Sequence, residues 1–473
     1  MAAPQLISKI YVLPNSGFKG TVAAVNVSGS SAIAAKTGTQ ARITSISPIK
    51  ITINNAPSGT YVSISVAAGS QSIINYNRLG TTPTLYHIIA KTGDDTVMVL
   101  TAFETTGAVD AVDRTWAIGG PFSDFTDAGK VAYVTSGYDK VLCSNEGGAD
   151  WVPAAAIALT NSSTAAQSIA NGNIIYEGYG IVDGDKGLFV INANLTANIF
   201  TVASSFINVN NIHVKGVKVA NRGISYTGNY GTFNNCIVSS PQAGATGNLW
   251  YCGGTGVWLG CCADGGGIGV IGFNQVSGMH VFVGCVSRKC ANNGYLTSTT
   301  SITLYVRCIA SKNSSGAGYG WSVNTNARFI GCIANGNSQS GVYVPSASAD
   351  QMSAINCIFS NNGGYGWEKA SPTTGYQPFI VACDFWANTL GSSNSICNCD
   401  PPDGVINFAI NPLFYDQANE NYMIGALLKA KGFPSILPGG VTLPVLVGHN
   451  YEDIGVLQRE ESGFPRNRIV QEI

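Results

Sequence analysis

Pairs of acidic side chains are the residues of this sequence whose types and spacing could support catalysis. Hydrolysis of a glycosidic bond requires two carboxylates held ~5 to 10 Å apart. Asp183 and Asp185 are two residues apart, so in an extended strand they would share a face. Glu368 and Asp384 are 16 residues apart and could approach each other on adjacent turns of a repeating fold. For the first pair, the alternative is a turn with solvated aspartates.

The middle of the sequence contains very few acids. Between Gly187 and Ala349 the one acidic residue is Asp264. The basic residues of the same stretch are Lys215, Lys218, Arg222, Arg288, Lys289, Arg307, Lys312 and Arg328. A carboxylate dyad cannot be assembled there within one chain, so we predict no catalytic residue in the central repeats. Asp183, Asp185, Glu368 and Asp384 remain the candidates for the alternative, an enzyme.

Histidine and cysteine spacing does not indicate a metal site or a cofactor. The four histidines are His87, His213, His280 and His449, and they form no catalytic or metal-binding motif. The close cysteine pairs, Cys261-Cys262 and Cys397-Asn-Cys399, lack a second pair at zinc-finger spacing. We therefore predict no metal and no cofactor.

Aromatic residues are the more suggestive ligand-binding candidates. Five of them stand near glycines in the central and later sequence, namely Trp258, Tyr319, Trp321, Tyr365 and Trp367. Aromatic faces beside amide and hydroxyl groups suit sugar binding or burial against another subunit. Burial in the core is the third interpretation, and the sequence leaves all three open.

The elements that position these residues follow from a cysteine repeat. Its members are Cys236, Cys261, Cys285, Cys308, Cys332, Cys357 and Cys383, at spacings of 25, 24, 23, 24, 25 and 26 residues. Each cysteine lies in a short strand-like run, and the last four are followed five residues later by Asn313, Asn337, Asn362 and Asn388. A repeat of about 24 residues with no helical period buries its apolar face by stacking on the next copy. The pattern predicts an all-β parallel solenoid with reduced, inward-facing cysteines and a column of asparagine amides.

The remaining chain divides around this repeat. Residues 1–108 alternate or run apolar over strand lengths and predict a small antiparallel β-sandwich. Residues 109–155 predict a linker and an N-terminal cap, with one short helix near 122–133. The β-helix follows over 156–403, and 404–473 form the closing segment and C-terminal cap.

Composition restricts the functional classes. Only 11% of the 473 residues are charged, the net charge is −1, and no basic run indicates binding to nucleic acid. No stretch has the length and apolarity of a membrane span, and the first residues do not resemble a signal peptide. These features favour synthesis in a cytoplasm.

The repeat, together with Asn411-Pro-Leu-Phe414 and the later Asp453-Ile-Gly455, resembles the right-handed parallel β-helix of the pectin-lyase-like superfamily. This superfamily includes lyases, hydrolases, adhesins and phage tailspikes, so its fold does not select a function. The chain is most similar to phage virion β-helix proteins such as tailspikes, fibres and capsid decorations. That resemblance implies a structural or adhesive role in a virion assembled in the host cytoplasm.

The partners expected from this resemblance are other virion proteins, contacted through residues 1–108, and a host-surface glycan. Threefold symmetry is usual among such proteins, and the weakly charged flanks of the solenoid predict a homotrimer. The alternative is a polysaccharide lyase or glycoside hydrolase of the same superfamily. A secreted adhesin exported without a cleavable leader is a third possibility.

Overall fold

The computed structural model describes the backbone of strands within residues 9–119 and 436–442. It describes backbone and side chains for 141–145, 149–153, 156–159, 173–180, 185–192, 199–218, 222–239, 241–298, 300–314, 316–324, 326–345, 352–370, 378–394, 407–418 and 421–422. The chain divides into two compact units, one mainly of residues 1–153, 157–191 and 206–212, the other mainly of 192–205 and 213–473. No helix in the described part of the chain is long and apolar enough to cross a membrane.

The N-terminal strands of the first unit form a closed antiparallel barrel. In spatial order they are Lys36–Ile46, Ile49–Ile53, Val97–Leu100, Thr84–Thr92, Val62–Val66 and Arg114–Gly119. The sequence predicted a small antiparallel β-sandwich over 1–108, and the strands described there are antiparallel. Arg114–Gly119 pairs with strands on both sides, which closes the sheet and removes its free edges. The barrel therefore extends to Gly119.

The same unit contains a set of parallel strands. Four of them pair side by side in the order Lys9–Val12, Lys140–Cys143, Ile174–Gly178 and Ile207–Asn210. Two further strands, Ile157–Leu159 and Phe189–Asn192, do not pair with these four. Lys9–Val12 thus pairs outside the barrel although it precedes the barrel in sequence. The short helix predicted near 122–133 lies outside the described residues. Of the predicted C-terminal cap, the structure describes 407–418, 421–422 and the hairpin Ile436–Leu437 with Val441–Thr442.

The second unit confirms the parallel β-helix predicted from the cysteine repeat, with about 24 residues per turn over about seven turns. Its strands stack into three parallel sheets. Sheet 1 contains Gly231–Asn234, Gly256–Leu259, Gly278–Val283, Ser301–Val306, Ala327–Ile330, Ser353–Ile355 and Phe379–Val381. Sheet 2 contains Ile212–Lys215, Ile237–Ser239, Cys262–Asp264, Val286–Arg288, Ile309–Ser311, Ile333–Asn335, Ile358–Ser360 and Asp384–Trp386. Sheet 3 contains Phe200–Val202, Arg222–Tyr226, Asn248–Cys252, Ile271–Gln275, Tyr295–Thr297, Trp321–Val323, Val342–Val344, Tyr365–Lys369 and Gly391–Ser393.

A left-handed residue makes the corner between sheet 1 and sheet 2. It immediately precedes each cysteine of the repeat, with φ between 50° and 63°. The seven corner residues are Asn235, Gly260, Gly284, Arg307, Gly331, Asn356 and Ala382. Glycine and asparagine tolerate this conformation best, which explains why they occupy five of the seven positions.

The interior is filled by stacked columns of identical or similar side chains. All seven repeat cysteines are fully buried, and none forms a disulfide. Sheet 3 contributes a column of aromatic rings in which Phe273 stacks on Tyr295 at 5.0 Å and Tyr295 on Trp321 at 5.3 Å. The parallel register places equivalent residues of successive turns one strand spacing apart, about 4.8 Å, which favours such stacking.

The asparagine column lies at the corner between sheet 2 and sheet 3. The side-chain amide of Asn313 donates to Asn337 Oδ1 at 2.8 Å, Asn337 donates to Asn362 at 2.9 Å, and Asn362 donates to Asn388 at 2.8 Å. The backbone N–H groups of Asn313, Asn337 and Asn362 donate to the same oxygens at 3.2 to 3.3 Å. Each amide oxygen therefore satisfies two donors of the preceding turn, which fixes this corner in a buried environment.

A return segment, residues 407–422, covers the outward face of sheet 2. Phe408, Ile410 and Phe414 pack against a buried aliphatic column made by Ile309, Ile333 and Ile358. Lys312 Nζ donates to the carbonyl of Ala418 at 2.7 Å, and Gln417 donates to Asn335 at 3.2 Å. The chain thus runs back along earlier turns and removes an apolar surface from water.

Candidate functional site

Sheet 3 presents polar and aromatic side chains on its outward face near the end of the β-helix. Along each strand, inward residues alternate with outward ones. Trp321, Val342 and Trp367 point inward and are at most 1% exposed. Ser322, Tyr343 and Glu368 are their outward neighbours and lie in register on three successive turns.

A cluster of Tyr319, Ser340, Tyr343 and Glu368 forms around this column, and we call it the tyrosine–glutamate cluster. The rings of Tyr319 and Tyr343 stack nearly parallel, with centroids 4.3 Å apart. The Ser340 hydroxyl donates to Glu368 Oε2 and accepts from the Tyr365 backbone N–H at 2.9 Å. Tyr319, Tyr343 and Glu368 are partly exposed, so their polar and aromatic groups are accessible from solvent.

Two glycines explain how Tyr319 reaches this position. A Cβ atom on Gly318 would lie 2.7 Å from the carbonyl oxygen of Asn313, and one on Gly320 would lie 2.5 Å from the carbonyl oxygen of Gly341. These contacts with backbone are too close for any side chain, so only glycine fits on either side of the tyrosine. The Gly-Tyr-Gly sequence therefore brings the chain close to its neighbours while Tyr319 remains at the surface.

The surroundings of Tyr319 favour the neutral form of its phenol. Partial burial raises the pKa of Tyr319, and the nearby Glu368 and Tyr343 raise that pKa further. The Tyr319 phenol therefore stays protonated at neutral pH and can donate a hydrogen bond. Glu368 supplies carboxylate oxygens as acceptors. Aromatic surface combined with both donors and acceptors is suited to binding a sugar with free hydroxyl groups.

The cluster does not contain the acid–base pair needed for glycoside hydrolysis. Glu368 is the only acidic residue in the sheet 3 strands that the structure describes. Asp384 is on the outward face of sheet 2, where Asp384 pairs with Ile358 of the preceding turn. The two carboxylates belong to outward faces of different sheets, so the structure does not bring this predicted pair together in one groove. Glu368 and Asp384 lie in different environments because a separation of 16 residues is less than one full turn, which places the two residues on different sheets.

Asp384 is completely buried. Its Oδ1 accepts the backbone N–H of Ile410 at 2.8 Å, while Oδ2 has no hydrogen-bond partner among the described groups. Burial raises the pKa of Asp384 to about 7, and the Ile410 hydrogen bond opposes that rise. This carboxyl group holds the return segment against sheet 2 and has no access to a polymeric substrate.

The other predicted acidic pair has one described member. Asp185 is exposed, and its Oδ1 accepts the backbone N–H groups of Gly180 at 2.7 Å and Gly187 at 2.8 Å. These hydrogen bonds close a turn, which matches the structural interpretation of this residue. Asp183 lies outside the described residues.

The aromatic candidates separate into two groups. Trp258 and Trp321 are 0% exposed and Trp367 is 1% exposed, so they belong to the interior and cannot contact a glycan. This corrects the ligand-binding interpretation for the three tryptophans, because strand alternation turns their side chains inward. Tyr319, by contrast, lies in the tyrosine–glutamate cluster. Tyr365 is partly exposed and contacts the cluster through its backbone N–H, which donates to Ser340.

Sequence reasoning did not select two residues of the cluster, Ser340 and Tyr343. Like the other aromatic candidates, Tyr343 lies close to a glycine, Gly341, and this proximity could have identified it from the sequence. Ser340 has no such signal, because its role depends on Glu368 of the following turn. Within the described part of the chain, no group of histidine, cysteine or acidic residues could hold a metal ion.

No protein-family profile matches the sequence, and no curated protein sequence is detectably similar to it. Among solved structures, the pectate lyase Pel9A is 15% identical, and its alignment covers 72% of this chain and 92% of that chain with a TM-score of 0.54. A GH87 alpha-1,3-glucanase catalytic domain is 11% identical over 80% of this chain and 90% of that chain, with a TM-score of 0.31. The tailspike protein gp49 from Pseudomonas phage LKA1 is 10% identical over 80% and 65%, with a TM-score of 0.14. The first likeness shows the pectin-lyase-like fold alone, and the two lower scores carry no argument.

Proposed function

We propose that this chain is a structural and adhesive virion protein, displayed on a phage as a tailspike, fibre or capsid decoration, that binds a surface glycan. The observation that carries the proposal is the tyrosine–glutamate cluster, where Tyr319, Tyr343 and Glu368 offer aromatic, donor and acceptor groups together. The asparagine column and the stacked interior support it, because they hold these groups on a rigid surface.

The proposed ligand is a neutral polysaccharide with exposed hydroxyl groups. A polyanion would be repelled by the Glu368 carboxylate, whereas sugar hydroxyls can donate to it. In this proposal the barrel of residues 36–119 attaches the chain to other virion proteins, and assembly takes place in the host cytoplasm. Binding is proposed without cleavage, because the candidate carboxylates Glu368 and Asp384 lie on different faces.

The test is binding of the full chain to a panel of neutral and acidic bacterial surface polysaccharides, measured by calorimetry. We expect Tyr343→Ala to weaken binding of a neutral polymer by about 5-fold, since one lost stacking contact amounts to about 1 kcal/mol. Tyr251→Ala is the matched control. Tyr251 occupies the same outward column of sheet 3, four turns earlier, beneath the guanidinium of Arg222.

Polymer length measured in the same samples separates this proposal from the enzymatic alternative. Unchanged length with binding that depends on Tyr343 supports display and adhesion. Shortened polymer, with the shortening removed by Glu368→Gln, would replace the proposal with a polysaccharide lyase or glycosidase. Equal effects of Tyr343→Ala and Tyr251→Ala would remove the cluster from the binding site.

A further inference from the structure

One histidine lies in the interior of the β-helix. His280 belongs to the sheet 1 strand Gly278–Val283, and strand alternation points its side chain inward with that of Phe282. The residue is 1% exposed, and neither of its ring nitrogens has a hydrogen-bond partner among the described groups. Its ring contacts the ring of Trp258, with centroids 5.4 Å apart. A buried imidazole without hydrogen-bond partners is held in its neutral form.

The surroundings of His280 contain no charge that could pair with a protonated ring. On sheets 1 and 3, the strands of its own turn and of the two adjacent turns contain no aspartate, glutamate, lysine or arginine. These strands are Gly256–Leu259, Gly278–Val283, Ser301–Val306, Asn248–Cys252, Ile271–Gln275 and Tyr295–Thr297. On sheet 2 the nearest charges, Asp264 and Arg288, form an ion pair on the outward face.

The titratable groups that face His280 from neighbouring strands are neutral in acid. Sheet 3 contributes the Tyr226 phenol and the Cys252 thiol, and sheet 1 contributes the Tyr305 phenol. Burial raises the pKa of each of these three groups, so none becomes an anion at pH 7 or below. The repeat cysteines lie at the other end of the sheet 1 strands, in the corner to sheet 2. A proton on His280 would therefore create a buried cation without a counter-ion.

The corner beside His280 provides a short route to water. Met279 is 59% exposed, and Ile302, in register with it on the next turn, is 53% exposed. Gly278 makes the bend into the strand with φ 92°, a conformation that glycine adopts freely. The Met279 backbone N–H donates to the Thr255 hydroxyl at 3.3 Å, which is long for a hydrogen bond. A local movement at Gly278 is therefore enough to bring the imidazole into contact with solvent.

We propose that protonation of His280 opens the corner of residues 276–280, which makes the middle of the β-helix sensitive to acid. The imidazolium gains water when the corner opens, whereas in the closed corner it has neither water nor an anion. The sheet 2 strand of the same turn, Val286–Arg288, contains no histidine and should stay paired with its neighbours. The opening is local, so the β-helix keeps its overall architecture.

The direction of the pH effect follows from the burial of the ring. Burial lowers the pKa of His280 from 6.5 to about 4, and the Ser277 carbonyl opposes part of this shift without forming a hydrogen bond of normal geometry. In the open corner the ring is in water, and its pKa returns to about 6.5. The open form therefore binds more protons between about pH 6.5 and pH 4, so the closed form loses stability as the pH falls through this range. The opening equilibrium should rise by about 50-fold between pH 7 and pH 4.5.

The test is hydrogen–deuterium exchange of the full chain at pH 7 and pH 4.5, corrected for the intrinsic exchange rate at each pH. We expect amide protection in residues 276–283 to fall by about 50-fold at pH 4.5, while Val286–Arg288 stays protected. The measurement must be local, because burial of Asp384 in the last turn changes global stability with pH in the opposite direction. His280→Gln, which cannot ionise, should remove the pH dependence of residues 276–283.

His213→Gln is the matched control, because His213 is partly exposed and forms a hydrogen bond with the Ser239 hydroxyl at 2.7 Å. This variant should keep the wild-type response. His280→Leu supplies a second uncharged side chain at the buried position, so the result does not depend on how well one variant folds. Equal protection of residues 276–283 at both pH values in the wild type would overturn the proposal. Acid-induced exchange that persists in both His280 variants, or that affects Val286–Arg288 equally, would also overturn it.

Discussion

At the scale of single residues, Asp384 shows how an acidic side chain can be buried in a β-helix. Its carboxyl group is buried beneath the return segment and bonded to the Ile410 backbone N–H. A buried carboxyl with one unpaired oxygen favours its protonated form. The structural consequence is a pH-dependent cost to folding rather than a reaction centre.

We predict that Asp384→Asn stabilises the protein at neutral and alkaline pH. The pKa of Asp384 is about 7 in the folded chain and about 3.8 in the unfolded chain. Below pH ~4 both states are protonated and the cost is absent; as pH rises to ~7 the unfolded state ionises first, and stability falls. Above pH ~7 the cost is constant, at most about 4 kcal/mol. Asparagine retains the acceptor for Ile410 without this cost.

Urea unfolding of both proteins at pH 4 and pH 8 measures the effect. The free energies of unfolding should agree at pH 4 and differ in favour of Asp384→Asn at pH 8. Asp264→Asn serves as the control because Asp264 forms an ion pair with Arg288 at 2.9 Å near the surface. That change should be weakly destabilising at pH 8. A variant of Asp384 that is equally stable or less stable at pH 8 would contradict the burial argument.

At the scale of elements, the corner between sheet 1 and sheet 2 repeats one backbone conformation with several residue types. The left-handed conformation costs an ordinary side chain roughly 1 kcal/mol, whereas glycine adopts it freely. Ala382 and Arg307 carry this cost, while Gly260, Gly284 and Gly331 avoid it. The repeat therefore determines the backbone of the corner more strictly than it determines its sequence.

We predict opposite changes in stability from exchanging alanine and glycine at this corner. Gly284→Ala should destabilise the protein by about 1 kcal/mol, since φ is 63° and a Cβ atom there would meet nothing within 4 Å. Ala382→Gly, at φ 51°, should stabilise it by a similar or smaller amount. Thermal unfolding of the two variants measures both effects. Changes of the same sign would show that packing, rather than backbone strain, controls the corner.

At the scale of the whole molecule, the reactivity of the cysteine thiols measures how well the interior is shielded from solvent. The sequence has 13 cysteines, and the structure describes 11 of them as buried and free of disulfides. Burial raises the pKa of the thiols of Cys285, Cys308 and Cys357, which lowers their thiolate fraction at neutral pH. Because all eleven described cysteines are buried, the native protein should react slowly at these positions.

We predict that the denatured, non-reduced protein contains at least 11 free thiols, while the native protein reacts rapidly at no more than two. Titration with a chromogenic thiol reagent, with and without denaturant, gives both numbers. The two cysteines outside the described residues, Cys397 and Cys399, can be replaced by serine to isolate the buried set. Fewer than seven free thiols in the denatured chain would contradict the reduced cysteine column.

The sequence alone determined the repeat and its consequences along the chain. The spacing of the cysteines predicted the parallel β-helix, and the asparagines five residues later predicted a column of amides, because a solenoid places equivalent residues one strand spacing apart. The sequence also excluded a carboxylate pair in the central turns. These conclusions depend on the order of residues within each repeat, and the amino-acid sequence contains that order directly.

The tertiary structure alone decided which of the candidate side chains face solvent. Trp321 and Tyr319 are two residues apart, yet one is buried and the other partly exposed, because Trp321 begins a strand of sheet 3 and Tyr319 lies in the corner before that strand. The partnership of Ser340 with Glu368 and the covering of Ile333 by the return segment each join residues from different turns. Such contacts depend on register and on where the chain folds back, and neither property can be read from local sequence.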